Sequence, residues 1–89
     1  MVEVMYKLSN DFLLKDVKDE AVILNIKTGD YFGLNEVGAI LIRLLLEGKS
    51  ISQVTDLITD EFDADIQTVE SDCNELIGEL LSRGIIYEE

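Results

Sequence analysis

Histidine is absent from this 89-residue chain, proline is absent, and cysteine occurs once. Without histidine the chain lacks the commonest general base and the commonest transition-metal ligand. One cysteine, Cys73, excludes an intrachain disulfide and any Cys-Cys metal motif. It falls in register with apolar helix positions, which predicts a buried, inert thiol rather than a nucleophile in an electropositive setting. Cations are scarce: 7 Lys and Arg stand against 19 Asp and Glu, a formal net charge of −12. Nucleic acid and anionic lipid repel such a surface unless its cations cluster. Here they are scattered, at Lys7, Lys15, Lys18, Lys27, Arg43, Lys49 and Arg83. Long apolar runs are missing too, since Arg43 interrupts the best one and leaves no membrane-spanning candidate. The N-terminus has no contiguous apolar segment of the kind a signal peptide needs, so a cytoplasmic protein is expected.

What is present is a globular composition, 47% hydrophobic with no low-complexity tract, in one small domain able to bury about 60% of its chain surface. Residues 1–11 read as an N-terminal extension or an extra strand, and 12–89 as a single domain. Phe12–Val17 reads as a strand with Phe12 and Leu14 in phase, followed by a Lys18-Asp19 turn. Glu20–Ile26 is a stronger, β-branched strand with Val22, Leu24 and Ile26 on one face. Thr28-Gly29-Asp30 supplies turn chemistry, through glycine's tolerance of positive φ and aspartate's bonding to nearby backbone. Asp30–Leu34 is then the third strand of an antiparallel meander. If its Phe32 and Leu34 face the core, Tyr31 and Gly33 face away, as does Ile23 on the preceding strand.

Helical spacing takes over at Val37, Ile40, Leu41, Leu44 and Leu45, with Asn35 as N-cap and Gly48 as stop. Ser50-Ile51-Ser52-Gln53 is a capping box that opens a second helix. The inward stripe of that helix is Ile51, Val54, Leu57, Ile58 and Phe62. Asp65 caps a third, along which Ile66, Val69, Cys73, Leu76, Ile77 and Leu80 share a side. Gly84 ends it and Ile85 folds back onto the last turn. Three strands followed by three helices give an α+β, winged helix-turn-helix-like fold.

Three chemistries fail on these residues. Asp60, Glu61, Asp63 and Asp65 suggest a calcium loop, but Ile66 stands where its sharp-turn glycine is needed and Asp72 where its bidentate glutamate belongs. Helix capping and a solvated loop account for them, so no metal is expected. No carboxylate pair, glycine-rich phosphate cradle or activated nucleophile is singled out by spacing, so the chain does not read as an enzyme. A winged-helix nucleic-acid or transcription-regulatory module is the alternative that the outline suggests. Its reading helix would carry Glu70, Asp72 and Glu75 with no cation before Arg83, the wrong charge for phosphates. What remains is the outer edge of the third strand, whose free donors and acceptors can pair with an extended peptide. The same edge also permits pairing of two copies into a homodimer.

Several stretches, in this order, resemble the pyrroloquinoline quinone biosynthesis protein D (PqqD) family. They are Ala21-Val22-Ile23-Leu24, Gly29-Asp30-Tyr31-Phe32-Gly33-Leu34-Asn35, Glu47-Gly48-Lys49-Ser50-Ile51, Val69-Glu70-Ser71-Asp72-Cys73 and Leu80-Leu81-Ser82-Arg83-Gly84-Ile85-Ile86. The likeness covers about residues 12 to 87. It implies a RiPP recognition element, a stand-alone winged-helix module that binds the leader of a ribosomally made precursor peptide. On the family's pattern the leader adds as an antiparallel strand to Asp30, Tyr31, Phe32, Gly33 and Leu34. Beside it, Val69, Asp72, Cys73, Leu76 and Leu80 would divide between core and groove wall. The implied partners are the precursor leader and a modifying enzyme, either a radical S-adenosylmethionine enzyme or a leader protease; from the charge, hydropathy and motif readings above, no cofactor, nucleic acid or membrane is expected. The helix-one start, Asn35-Glu36-Val37-Gly38-Ala39, is closer to the broad set of stand-alone PqqD-like proteins than to PqqD proper. Quinone-cofactor, lasso and other peptide pathways are therefore all open. A structural adaptor that docks on the enzyme without touching the peptide is a third reading.

Overall fold

The computed structural model describes residues 4–89, so the first three residues of the expected N-terminal extension lie outside the described part. The elements run β1 (Tyr6–Leu8), β2 (Phe12–Val17), β3 (Glu20–Asn25), β4 (Tyr31–Leu34), α1 (Glu36–Leu46), α2 (Ile51–Phe62), α3 (Ile66–Ser82) and β5 (Ile86–Glu88). β2, β3 and β4 form an antiparallel meander in that order, and the three helices follow it as a winged-helix-like trio. β1 pairs with β5 in a separate two-stranded antiparallel ladder. Sequence patterning did not foresee β5, because Ile86 is buried while Tyr87 and Glu88 are both exposed, and three such residues carry no apolar alternation.

The β3–β4 turn is organised by a different residue from the one expected. The Asn25 side-chain oxygen accepts from the Lys27 and Thr28 amides at 3.0 and 3.3 Å. Gly29 takes the left-handed conformation at φ 81° and its amide returns to the Asn25 carbonyl. Asp30 contributes backbone only: its amide donates to Thr28 Oγ1 and its carbonyl accepts from Asn25.

Helix boundaries follow their capping residues. Asn35 accepts from the Gly38 amide at 2.8 Å, and Asp65 accepts from the Thr68 amide at 3.2 Å. Ser50 and Gln53 close both halves of a capping box. At the end of α3 the Ile85 amide donates to the Leu80 carbonyl and the Gly84 amide to Leu81. With Gly84 at φ 71°, this is a Schellman closure, and it turns the buried Ile85 and Ile86 onto the core.

The core joins Ala21, Ile23 and Leu34 of the sheet to Ala39, Ile42 and Leu45 of α1. Val54 and Ile58 of α2, Cys73, Ile77 and Leu80 of α3, and Tyr6 of β1 complete it. Four assignments of side-chain direction therefore need correction. Ile23 faces the core rather than away from it, while Ile26 is 55% exposed. The cause is register: Phe32 lies opposite Ile23 and Leu34 opposite Ala21, and directly opposed residues share a face. Both faces of β3 carry apolar residues, so alternation alone does not choose between them. On α2, Leu57 is exposed and Thr55 is buried in its place, its hydroxyl bonded to the Ser52 carbonyl at 3.0 Å. Ile66, in the first turn of α3, is exposed as well.

Candidate functional site

β4 has a strand partner on one side only among the described residues. Which of its backbone groups face the open side follows from two turn bonds. The Asn25 amide donates to the Asp30 carbonyl at 2.8 Å, which makes 25 and 30 a hydrogen-bonded pair. Antiparallel pairs alternate in type, so Ile23–Phe32 and Ala21–Leu34 are hydrogen-bonded, while Leu24–Tyr31 and Val22–Gly33 are not. The opposite side of β3 agrees. The Ile26 amide donates to the Asp11 carbonyl, in step with a β2–β3 register that turns Leu24 and Val22 toward β2. Phe32 and Leu34 thus use their backbone groups on β3, whereas the N–H and C=O of Tyr31 and Gly33 point to the free edge.

Beside that edge lies a groove of about 480 Å³. Phe32, Gly33 and Leu34 form its strand wall, and Val69, Asp72, Cys73 and Leu76 belong to its α3 wall. Val37, Gly38 and Leu41 of α1 lie beneath, and Phe62, Ala64 and Thr68 close one end. The floor is apolar: Leu34, Leu41, Val69 and Cys73 are buried, while Phe32, Val37, Phe62 and Leu76 are half-buried. The α3 rim is acidic, with exposed Asp72, Glu75 and Glu79. At the far end Arg83 bridges the two walls. Its guanidinium lies 5.3 Å from the Phe32 ring centroid, and its Nη2 is 3.1 Å from Glu79 Oε1.

Seven residues expected at the site therefore come together around one groove: Phe32, Gly33, Leu34, Val69, Asp72, Cys73 and Leu76. Asp30 and Tyr31 border a smaller cavity of about 170 Å³ next to it, shared with Asn25, Phe32 and Arg83. Leu80 lines neither cavity; it is fully buried and belongs to the core. Patterning missed the α1 contribution, because Val37 and Gly38 read as ordinary first-turn residues of a packed helix. It also missed Glu75, Glu79 and Arg83, although their three- and four-residue steps from Asp72 place them on one helix face.

The groove offers little for covalent chemistry. Burial, and then the neighbouring Asp72 and Glu70 carboxylates, push the Cys73 thiol up from 9.0 to about 11, so it is protonated near neutrality. Among the described residues no group of three His, Cys, Asp or Glu converges to hold a metal ion. The arrangement suits an extended chain, with backbone pairing along β4 and apolar side chains set against the floor.

Three strands, three helices and an open β4 edge beside α3 define a winged-helix-like module of known type. Residues 20–86 match the family described as coenzyme PQQ synthesis protein D (PqqD), and the chain belongs to that family. A solved structure described as TbiB1 in complex with the TbiA(beta) leader peptide is similar at 35% identity and a TM-score of 0.79. The match covers 90% of this chain and 93% of that one. A second, described as lasso peptide synthetase B1 complexed with the leader peptide, has the same fold at 24% identity and a TM-score of 0.83. There the coverage is 92% of this chain and 96% of that one. A search of curated proteins found no match.

Proposed function

We propose that this protein is a non-catalytic peptide chaperone. It binds the leader of a ribosomally synthesised precursor by strand addition to β4 and presents the remainder to a modifying enzyme. The observation that carries this reading is the outward N–H and C=O of Tyr31 and Gly33 at the lip of an apolar groove. A peptide running antiparallel to β4 satisfies those four groups and sets every second side chain toward the α3 wall. The α3 wall from Thr68 to Glu79 is about 16 Å long, the reach of about five extended residues. The likeness to TbiB1, whose structure holds a leader peptide, supports the same use of the groove here. A protonated Cys73 and the absence of histidine support a binding role over a chemical one.

Tyr31→Pro tests the reading. Proline at 31 removes an outward donor and leaves the β3–β4 ladder bonds in place, so the variant is expected to fold. Its affinity for a fluorescently labelled leader, followed by polarisation, should fall at least about tenfold through lost backbone bonds. A folded Tyr31→Pro protein with unchanged leader affinity would exclude strand addition at β4.

A further inference from the structure

Lysine and arginine are missing from Ser50 through Ser82, a stretch that holds nine carboxylates. The rest of the chain is nearly balanced, so the net charge is concentrated on α2 and α3. Three of those carboxylates, Asp72, Glu75 and Glu79, stand on the rim of the β4–α3 groove. Glu79 is engaged by Arg83 at 3.1 Å. Among the described residues, Asp72 and Glu75 have no cation within ion-pair distance. Both are exposed, yet they overhang the apolar surface of Val69, Cys73 and Leu76.

We infer that the occupant of this groove is an extended peptide with a lysine or arginine directed at Asp72 and Glu75. That basic side chain is flanked, two residues away on the same face of the peptide, by apolar side chains seated on the floor. The inference rests on the strand-addition reading and adds the chemistry of the bound sequence. A strand on β4 directs alternate side chains across the groove. An apolar side chain there covers Phe32, Leu34 and Leu76 but leaves the rim carboxylates without partners. A lysine or arginine meets both demands, laying its methylene stem on the floor and carrying its charged head to the rim. A glutamate or aspartate at that position faces two like charges and is disfavoured. The Arg83 end differs, because Glu79 and Phe32 already hold the guanidinium. The cationic position is therefore at the middle of the groove, toward the N-terminal half of α3.

A display library of random twelve-residue peptides tests the proposal. It is selected on the wild-type protein, on Asp72→Lys/Glu75→Lys, and on Tyr31→Pro. Both lysines sit on exposed helix positions where lysine is a good helix former, so the double variant should fold. Edge binders are the peptides retained by wild type and lost on Tyr31→Pro. Among these, wild type should enrich Lys or Arg two residues from an apolar residue, and the double variant should enrich Asp or Glu at that place. Synthetic copies of the wild-type peptides should bind the double variant about tenfold more weakly, from two solvent-exposed pairs at roughly two- to fivefold each. That difference should shrink at 0.5 M salt. Edge binders with no charge bias, or with the same sequences on both proteins, overturn the charge inference and leave strand addition standing. No peptide lost on Tyr31→Pro overturns strand addition, and the charge inference with it.

Discussion

Tyr31 and Phe32 are adjacent in sequence and turn opposite ways in both backbone and side chain. Phe32 lies against the groove beneath Arg83, and Tyr31 is 75% exposed on the outer face of the sheet. Sequence reading placed both on the edge strand. Their exposure difference was legible, because a period of two separates neighbours. Which of them keeps its amide free was not, since that depends on the hydrogen-bonding type of one turn pair. Cys73 shows the converse. Its burial was legible from helical spacing, but its place beside a groove was legible only through the resemblance to the family and not from its spacing. The thiol stays protonated in the fold to about pH 11 and ionises near 9.0 when released. Below pH 9 the native state keeps its full stability from this group. As pH rises from 9 to 11 the unfolded state loses the proton first, and stability falls. Tyr6 is raised in the same direction by burial, then by Glu88, and adds to the alkaline loss. Urea denaturation from pH 8 to pH 11 should show this decline, with a shallower slope for Cys73→Ala. A slow reaction of native Cys73 with a thiol reagent at pH 8 is the companion expectation.

At the scale of elements, the helices were the most legible part of the chain. Asn35, Ser50 and Asp65 cap as their chemistry requires, because capping is local and needs no knowledge of the tertiary fold. The strands were less legible. Val22 and Leu24 are apolar on one face of β3, and Ala21 and Ile23 on the other. The choice of core face falls to β4, through its pairing of Phe32 with Ile23. Leu57 and Thr55 exchanged their expected places because a threonine that bonds its hydroxyl to the helix backbone can be buried cheaply. β4 itself makes a prediction. In the free protein the amides of Phe32 and Leu34 should resist hydrogen exchange, while those of Tyr31 and Gly33 exchange quickly. Saturation with leader peptide should slow the second pair and narrow the alternation. Uniform protection along β4 in the unbound monomer would contradict the register derived from Asn25 and Asp30.

Over the whole molecule, charge and cover are unevenly shared. The sheet and α1 carry nearly matched charges, and the α2–α3 half carries the excess. Composition displayed the sum, but only the fold shows that part of it borders a groove. The groove was partly legible, through the likeness of the chain to its family. Its contributions from α1 and the α2–α3 loop were not, since they depend on how the helices cross. Tyr6 is 6% exposed and belongs to the β1–β5 ladder, and it lines no part of the groove. Tyr6→Ala should cost about 3 kcal/mol and lower the melting temperature by more than about 10 °C in calorimetry. Leader affinity of the remaining folded protein should stay unchanged.

The ladder of β1 and β5 has one more consequence. Tyr6 lies opposite Glu88, and the Glu89 amide donates to the Met5 carbonyl at 2.8 Å. Met5 and Glu89 therefore lie about one strand spacing apart, near 5 Å. A module with that geometry can be spliced into a surface loop of another protein as a cassette, with both joints made at one place and the host hardly stretched. Binding can then be carried inside a larger chain as readily as by a separate one.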